Sequence, residues 1–452
     1  MATEIVLRPV SADKEDVNPF GAGFQEFPWE AQFRSIQYGG SSRSMLAIES
    51  GGTLVGGMAL DLTTTPPQLV FFEVIRRYRN RGKGKTALLA LINLLLEMGK
   101  RKLFVQTGRP IIYRRMGFRF VPVERSGIVL ELERPLIERE VPPDTPMVLV
   151  YEDAYQWHDA YEMPDSPHRV SRTLSHLKQA GLLERMAVVS PRYAKEEEIA
   201  EVHDIGYIER VRGVSERSGR FGKDTQTCPE TFDIARLAFG GALLAGEYIE
   251  DWRRVFVLCR PPGHHARRDQ AAGFCFFNNM GGLAISLFNK GYRPFVIDWD
   301  AHHGNGTQEI LYDKPIPFVS LHQRDLYPWT GTPQERGHGP GLGFNYNIPL
   351  PPLCTDEQYI EAFDTVCSMV DKHRPDVLLV SAGQDGHRED RLSGMMLSDS
   401  CYRHIARTAR ELADKFCEGR IILLMEGGYN LDLLGCLNEI VISEVAGIDG
   451  KS

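Results

Sequence analysis

The segment DWDAHHGNGTQ, residues 298–308, places two carboxylates and two imidazoles within six positions. On an extended backbone residues two apart face one way, so Asp298, Asp300 and His302 can line one side while Trp299 and Ala301 point to the other. An Asp and a His at that spacing suit a divalent cation, and Asp385 in GQDGHRED supplies a further carboxylate. One imidazole and two carboxylates leave a position open for water or substrate, as a catalytic Zn2+ requires. Two carboxylates also blunt the ion's acidity, so neighbouring groups must help. His264 and His265, in RPPGHHA, are suited to general base and general acid, and Asp298 and Asn305 to accepting the far N–H of an imidazole. Tyr429, in EGGYN, follows two glycines that let the backbone approach closely, and its phenol can donate to an oxyanion, a role worth ~2.7–4 kcal/mol. Together these parts describe metal-assisted hydrolysis of an amide or ester. His303 and His322 are read as structural, the first because His302 already faces the metal.

The elements that must bring these residues together are four apolar runs: RVFVLC (254–259), PFVIDW (294–299), DVLLVSA (376–382) and RIILLM (420–425). Helix-like stretches such as 355–373 and 398–416 lie between them, each opening on Ser or Thr next to Asp as an N-cap would. Unalternated apolar runs separated by amphipathic helices predict an α/β domain with a parallel sheet buried on both faces. Each run is followed at once by a polar cluster, and ligands bind beyond the carboxyl ends of such strands. The four loops are therefore expected to converge on one crevice.

The motifs RPPGHHA, GFCFFNN, VIDWDAHHGNGTQ, SLHQ, SAGQD and MEGGYN resemble the zinc-dependent histone deacetylase and acetylpolyamine amidohydrolase superfamily, with the Asn of HHGNG closer to its class II branch. The likeness runs from about Tyr151 to the C-terminus. It implies an arginase/deacetylase α/β fold, Zn2+ on Asp300, His302 and Asp385, a dyad of His264 and His265, and Tyr429 as oxyanion donor. It also implies Phe274 and Tyr327 as aromatic walls of a narrow tunnel for an acyl-lysine-like chain. The Gly273 carbonyl would accept the substrate amide N–H, and Asp298 with Ser320 would help bind a structural K+. The chain departs from the family pattern at Gln384, beside Asp385, where an aromatic or small residue is usual. Leu392 stands where polyamine-selective relatives of one subgroup place an acidic gatekeeper, which weakens a polyamine substrate without excluding it. A tyrosine at 429, instead of the histidine of weakly active relatives, favours an active deacetylase.

The N-terminal half differs in kind. From Arg76 to Arg119 there are thirteen Lys or Arg against one acidic residue, Glu97, whereas all thirteen histidines lie at or after His158. RNRGKGKT (79–86) misses a nucleotide P-loop because Arg79 stands where the pattern needs glycine. Read as Arg-x-x-Gly-x-Gly between the apolar strand 69–75 and a helix from about Lys85, it offers backbone N–H groups at a helix N-terminus, a cradle for pyrophosphate. With LRPV near the start, LAIESGGTLVGGMAL (46–60) as strand, turn and strand, and YRRMGF (113–118), this half resembles a GNAT acyltransferase over about residues 3–135. The resemblance implies acetyl-CoA on a loop containing Arg79, Arg81, Gly82, Lys83, Gly84 and Lys85, with Tyr113 reprotonating the thiolate. Glu73 is a possible base. A solvated basic surface, or a degenerate domain kept for folding or oligomerisation, are the plainer readings.

The 452 residues exceed the size at which single cores stop growing, so two domains are expected, a GNAT-like one over 1–140 and a deacetylase-like one over 147–452, with the proline- and charge-rich 133–146 as linker. With 42% hydrophobic residues, 25% charged and a net charge of −8, the chain reads as globular and gives no reason to expect nucleic-acid binding. The longest apolar stretch, about residues 87–98, is too short to span a bilayer. The opening MATEIVLRPVSADKED lacks an apolar signal core, and eight scattered cysteines without a C-x-x-C pair read as reduced thiols, so the cytoplasm is the expected location. The expected substrate is an acetylated lysine or a small acetylated amine. A homo-oligomer stays open.

Overall fold

The computed structural model divides into two compact units, residues 1–138 and 139–452. It describes residues 144–160 and 163–448 of the second unit together with residue 141. In the first unit it describes residues 5–9, 43–50, 53–74, 102–106, 119–123 and 127–131, the helical positions 87, 88, 91, 92 and 95, and residue 100.

The first unit carries a seven-stranded sheet built from β1 (Ile5–Pro9), β2 (Arg43–Ser50), β3 (Thr53–Asp61), β4 (Gln68–Val74), β5 (Lys102–Gln106), β6 (Arg119–Val123) and β7 (Gly127–Glu131), in the order β1-β2-β3-β4-β5-β7-β6. Every pairing is antiparallel except β4 with β5. That parallel pair needs a crossover, and within it Ala87, Leu88, Leu91, Ile92 and Leu95 are helical and buried at the spacing of one helix face. The expected strand, turn and strand over 46–60 is the β2–β3 pair. Arg79, Arg81, Gly82, Lys83, Gly84, Lys85 and Tyr113 lie outside the described residues. Glu73 sits in β4 with Gly57 as its register partner.

The second unit holds an eight-stranded, wholly parallel sheet: β8 (Val148–Val150), β9 (Ala187–Val189), β12 (Arg254–Val257), β13 (Pro294–Asp298), β14 (Phe318–Gln323), β15 (Asn345–Leu350), β16 (Val377–Ala382) and β17 (Ile421–Met425). A small hairpin, β10 (Arg220–Phe221) with β11 (Thr225–Gln226), stands apart. The order β15-β14-β13-β16-β17-β12-β8-β9 places β13, β16, β17 and β12 side by side in the middle. These are the four runs singled out in the sequence, and β13, β16 and β17 are buried at every position.

The helices between them begin where local chemistry starts them. Asn278 Oδ1 accepts from Gly281 N at 2.7 Å and opens Asn279–Asn289, Thr355 with Gln358 makes a capping box for Asp356–His373, and Ser398 Oγ accepts from Ser400 N at the head of Asp399–Phe416. Asp399–Phe416 buries Cys401, Tyr402, Ile405, Ala409 and Leu412, and full burial of a side chain such as Ile405 contributes ~1.5–3 kcal/mol. No described helix is long and apolar enough to cross a membrane. All eight cysteines are free thiols. GHGPGLG (337–343) forms a short 3-10 turn over Gly339–Gly341 and leads into β15.

Candidate active site

Strand β13 ends on Asp298, and Asp300 and His302 lie on the bend beyond it, so the extended alternation expected from 298 to 302 does not persist. The cause is a ladder of local bonds. Asp300 N donates to Asp298 Oδ1 at 3.1 Å and His302 N to Asp300 Oδ1 at 2.9 Å, pulling the backbone round its own carboxylates. The bend still brings Asp300, His302 and Asp385 together: each offers a ligand atom within 4.8 Å of the others, and all three are buried. His302 Nδ1 stands 3.1 Å from Asp300 Oδ1 and 2.8 Å from Asp385 Oδ2. The remaining carboxylate oxygens are held by backbone, Asp300 Oδ2 by Gly427 N at 2.7 Å and Asp385 Oδ1 by Ala301 N at 2.9 Å.

The electrostatics mark a place short of positive charge. Burial opposes ionisation of Asp300, but His264 and His302 outweigh it and hold its pKa far below the usual range. Burial and the charge of Asp300 push Asp385 up to about 7 against the pull of His302. Two buried carboxylates that cannot both ionise cheaply, with an imidazole between them, form a donor set that a divalent cation fits.

The imidazole pair stands alongside. The rings of His264 and His265 are 4.0 Å apart, and His265 is 6.0 Å from His302. His264 Nδ1 faces Asp298 Oδ2 at 3.1 Å, whereas His265 Nδ1 faces Asn305 Oδ1 at 2.7 Å. Burial disfavours the imidazolium of His264, but Asp300 and Asp298 override it and raise its pKa to about 10. For His265 burial acts first and His264 and His302 add to it, so its pKa falls well below the usual value. One ring is thus biased to carry a proton and the other to lack one.

Tyr429 is half-buried, its ring 5.6 Å from that of Phe274 and 4.9 Å from the Arg169 guanidinium carbon. Burial, with Asp300 and Asp385 in support and Arg169 opposing, keeps its pKa well above 10, so the phenol is a donor. Gly273 and Phe274 both have left-handed backbones, φ 53° and 66°, and a Cβ at 273 would stand 2.3 Å from His265 Cδ2, so only glycine allows this approach. The Tyr327 ring is 5.1 Å from His265 and 6.4 Å from His302. Leu392 donates its amide to Asp390 Oδ1 at 3.0 Å. Ser320 is the register partner of Asp298, and its hydroxyl pairs with His322 Nδ1 at 2.9 Å. His303 is bound to Thr330 Oγ1 and Gln308 Oε1, and His322 also to the Gly331 carbonyl, outside the cluster.

Residues 163–445 match the family model described as Histone deacetylase domain. The chain belongs to the histone deacetylase family. A probable deacetylase of Archaeoglobus fulgidus is 37% identical to it over 310 residues, 67% of this chain and 86% of that protein. The histone deacetylase-like amidohydrolase of Pseudomonas aeruginosa is 35% identical over 298 residues, 63% of this chain and 77% of its own length. Among solved structures, the HDA15 HD domain aligns with a TM-score of 0.64 and 29% identity over 66% of this chain and 91% of that one. An acetylpolyamine aminohydrolase from Burkholderia pseudomallei aligns with a TM-score of 0.61 and 25% identity over 67% and 100%. The parallel sheet of the deacetylase domain is accordingly the arginase/deacetylase fold. Residues 13–118 match the Acetyltransferase (GNAT) family model.

The deacetylase domain also contains polar residues that sequence reasoning missed. Glu426 Oε2 accepts from Gly263 N at 2.8 Å and His264 N at 3.2 Å. Asp390 Oδ2 accepts from Tyr429 N at 2.6 Å. Asp165 is clamped between Arg169 Nη1 at 2.6 Å and Arg260 Nε at 3.2 Å, and Arg169 donates onward to the carbonyls of Glu426 and Gly428. An acid placed directly after an apolar run was a usable signal for Glu426. The contact of Asp165 with Arg260 gave none, because it joins positions separated by 95 residues.

Proposed function

We propose that the deacetylase domain hydrolyses an N-acetyl amide, such as acetyl-lysine, to acetate and a free amine, with Zn2+ held by Asp300, His302 and Asp385. The observation that carries this reading is the buried three-ligand cluster flanked by two adjacent imidazoles, one facing Asp298 and the other Asn305. A zinc ion there supplies Lewis acidity, polarising the amide carbonyl and making water a better nucleophile at neutral pH. The chain's own residues divide the remaining work. Neutral His265, kept in one tautomer by Asn305, accepts the proton that water loses on attacking the carbonyl. His264, its Nδ1 facing Asp298 and its ring against His265, supports His265 as that imidazole returns the proton to the departing nitrogen. The Tyr429 hydroxyl donates to the carbonyl oxygen as charge gathers on it. Phe274 and Tyr327 form the walls of the approach, with Leu392 near its rim, and the Gly273 carbonyl accepts the substrate N–H. Asp298 and Ser320, paired across two strands, form part of a structural K+ site.

For the N-terminal unit we infer acetyl-CoA binding by the loop of Arg79, Arg81, Gly82, Lys83, Gly84 and Lys85, with Tyr113 as the acid of an acetyl transfer. The GNAT family match over 13–118 supports this. A second reading, hydrolysis of acetylated polyamines or other small amides with the GNAT-like unit as a sensor or structural module, is favoured by the likeness to an acetylpolyamine aminohydrolase. Eight free cysteines support a cytoplasmic setting.

The test is a substrate panel on the zinc-loaded full chain: acetyl-lysine peptides, N-acetylputrescine and N-acetylspermidine, with and without chelator, alongside acetyl-CoA titration by calorimetry. Chelator-sensitive release of acetate is expected. Release that persists in metal-free protein, or its absence on every amide, overturns the hydrolase reading. Acetyl-CoA binding without transfer assigns the first unit as a sensor.

A further inference from the structure

The dipeptide Glu426–Gly427, immediately after β17, touches all four loops of the site. Its own strand brings it there. Glu426 N donates to Ala382 O at 3.2 Å and Gln384 N to Gly427 O at 3.0 Å, which ties it to the end of β16. Gly427 N holds Asp300 beyond β13 at 2.7 Å. The Glu426 side chain reaches across to the loop after β12, where its Oε2 accepts from Gly263 N and His264 N at 2.8 and 3.2 Å. Both of those amides are deeply buried donors, and a donor left unpaired there costs about 1–3 kcal/mol. The carbonyl of Glu426 in turn accepts from Arg169, itself pinned by Asp165. Other contacts orient the two imidazoles by their rings, through Asp298 and Asn305, and hold the carbonyl of His264 through Gly306 N and Thr307 N. The amides of Gly263 and His264 depend on Glu426.

We infer that Glu426 is the positioning residue of the imidazole pair: one carboxylate oxygen, anchored to the loop that carries Tyr429, sets the distance of His264 and His265 from the metal ligands. The role requires an acceptor at a fixed reach and does not require a charge. It rests on the hydrolase reading for its consequence in turnover, but its structural content is independent of that reading.

Three variants test it in the zinc-loaded full chain. Glu426→Ala removes the acceptor, and kcat is expected to fall about 10²-fold, the scale of a 1 Å misplacement, with KM within about twofold and zinc content unchanged. Glu426→Gln keeps an oxygen at the same reach and is expected to restore kcat to within about fivefold of the native value, a modest loss against the misplacement scale. Glu426→Asp, one methylene short, falls between them and serves if the alanine variant does not fold. NMR of nitrogen-labelled histidine reads the inference without reference to catalysis: the His264 and His265 ring signals shift in Glu426→Ala or Glu426→Asp and shift less in Glu426→Gln, which keeps the acceptor. Ring signals unmoved in the alanine and aspartate variants overturn the inference even if the chain hydrolyses amides. So does a glutamine variant as impaired as the alanine one, or a fall in thermal stability with kcat retained. Shifted ring signals in a chain that hydrolyses nothing uphold the positioning role and reject the hydrolase reading.

Discussion

Gly427 donates its amide to Asp300 Oδ2 at 2.7 Å, so the backbone after β17 grips a carboxylate of the candidate metal cluster directly. A Cβ at 427 would stand 2.4 Å from Asp385 Oδ2 and 2.5 Å from Asp300 Oδ2. Gly427→Ala must displace both carboxylates, and zinc affinity is expected to fall by about 10–100-fold, the range seen when groups supporting a ligand are lost. Competition against a chromogenic chelator measures this, and native affinity in the variant contradicts it.

Tyr429→Phe keeps the ring against Phe274 and Arg169 and removes only the donor. Turnover of an acetyl-lysine peptide should drop about 10²–10³-fold while zinc remains bound, as for loss of one oxyanion donor. Parallel kinetics and metal analysis separate this outcome from a general loss of the site.

Asp165→Asn leaves Arg169 and Arg260 buried without a counter-charge. In the native chain burial works against the Asp165 carboxylate, but Arg260 and Arg169 outweigh it and hold its pKa below the usual value. Removing one member of such a cluster costs about 3–5 kcal/mol, which denaturant unfolding of the variant should register as a lower midpoint. An unchanged midpoint would show that the two guanidiniums are satisfied by backbone carbonyls alone.

His203 and His158 make the fold acid-sensitive well above the carboxylate range. Burial, against the bonds to the carbonyls of Arg268 and Arg267, lowers His203 to about 4, and burial with Arg260 lowers His158 to about 3. His203 Nδ1 donates to Arg267 O at 2.9 Å and Nε2 accepts from Asn278 N at 2.9 Å, so a second ring proton has no acceptor. Both histidines titrate near 6.5 in the unfolded chain, which therefore binds protons that the folded chain refuses. Their contribution to stability is complete above about pH 6.5 and is lost as pH falls from there toward 4. Urea midpoints at pH 7.5, 6 and 5 should decline in that order, with a shallower decline in His203→Gln. A midpoint that rises on acidification contradicts the assignment.

Much of the site was legible because residue type and strand end coincided. Asp300, His302 and Asp385 announced themselves as a carboxylate, an imidazole and a carboxylate just beyond apolar runs, and a parallel sheet has only one edge where such ends meet. Asp298 and Asn305 were legible for the same reason, as acceptors within reach of the two histidines. The local path was harder. The bend at Asp300 arises from side chains bonding to nearby amides, and periodicity carries no trace of that competition. Asp390 and Arg169 act on Tyr429 through the backbone and across long separations, so nothing about their neighbours in the chain distinguishes them from ordinary charged residues. In the first unit the β2–β3 pair and β4 were legible as strands, whereas β1, β5, β6 and β7 were not, and the basic loop lies outside the described residues.

The neighbouring placement of β13, β16, β17 and β12 has a metric consequence. Adjacent strands in a ladder are spaced about 4.8 Å apart, so loops that leave neighbouring strand ends start within side-chain reach of one another. The backbone ladder thus acts as a ruler for the cluster, and loops can grow or shrink at the outer strands β9 and β15 without stretching it.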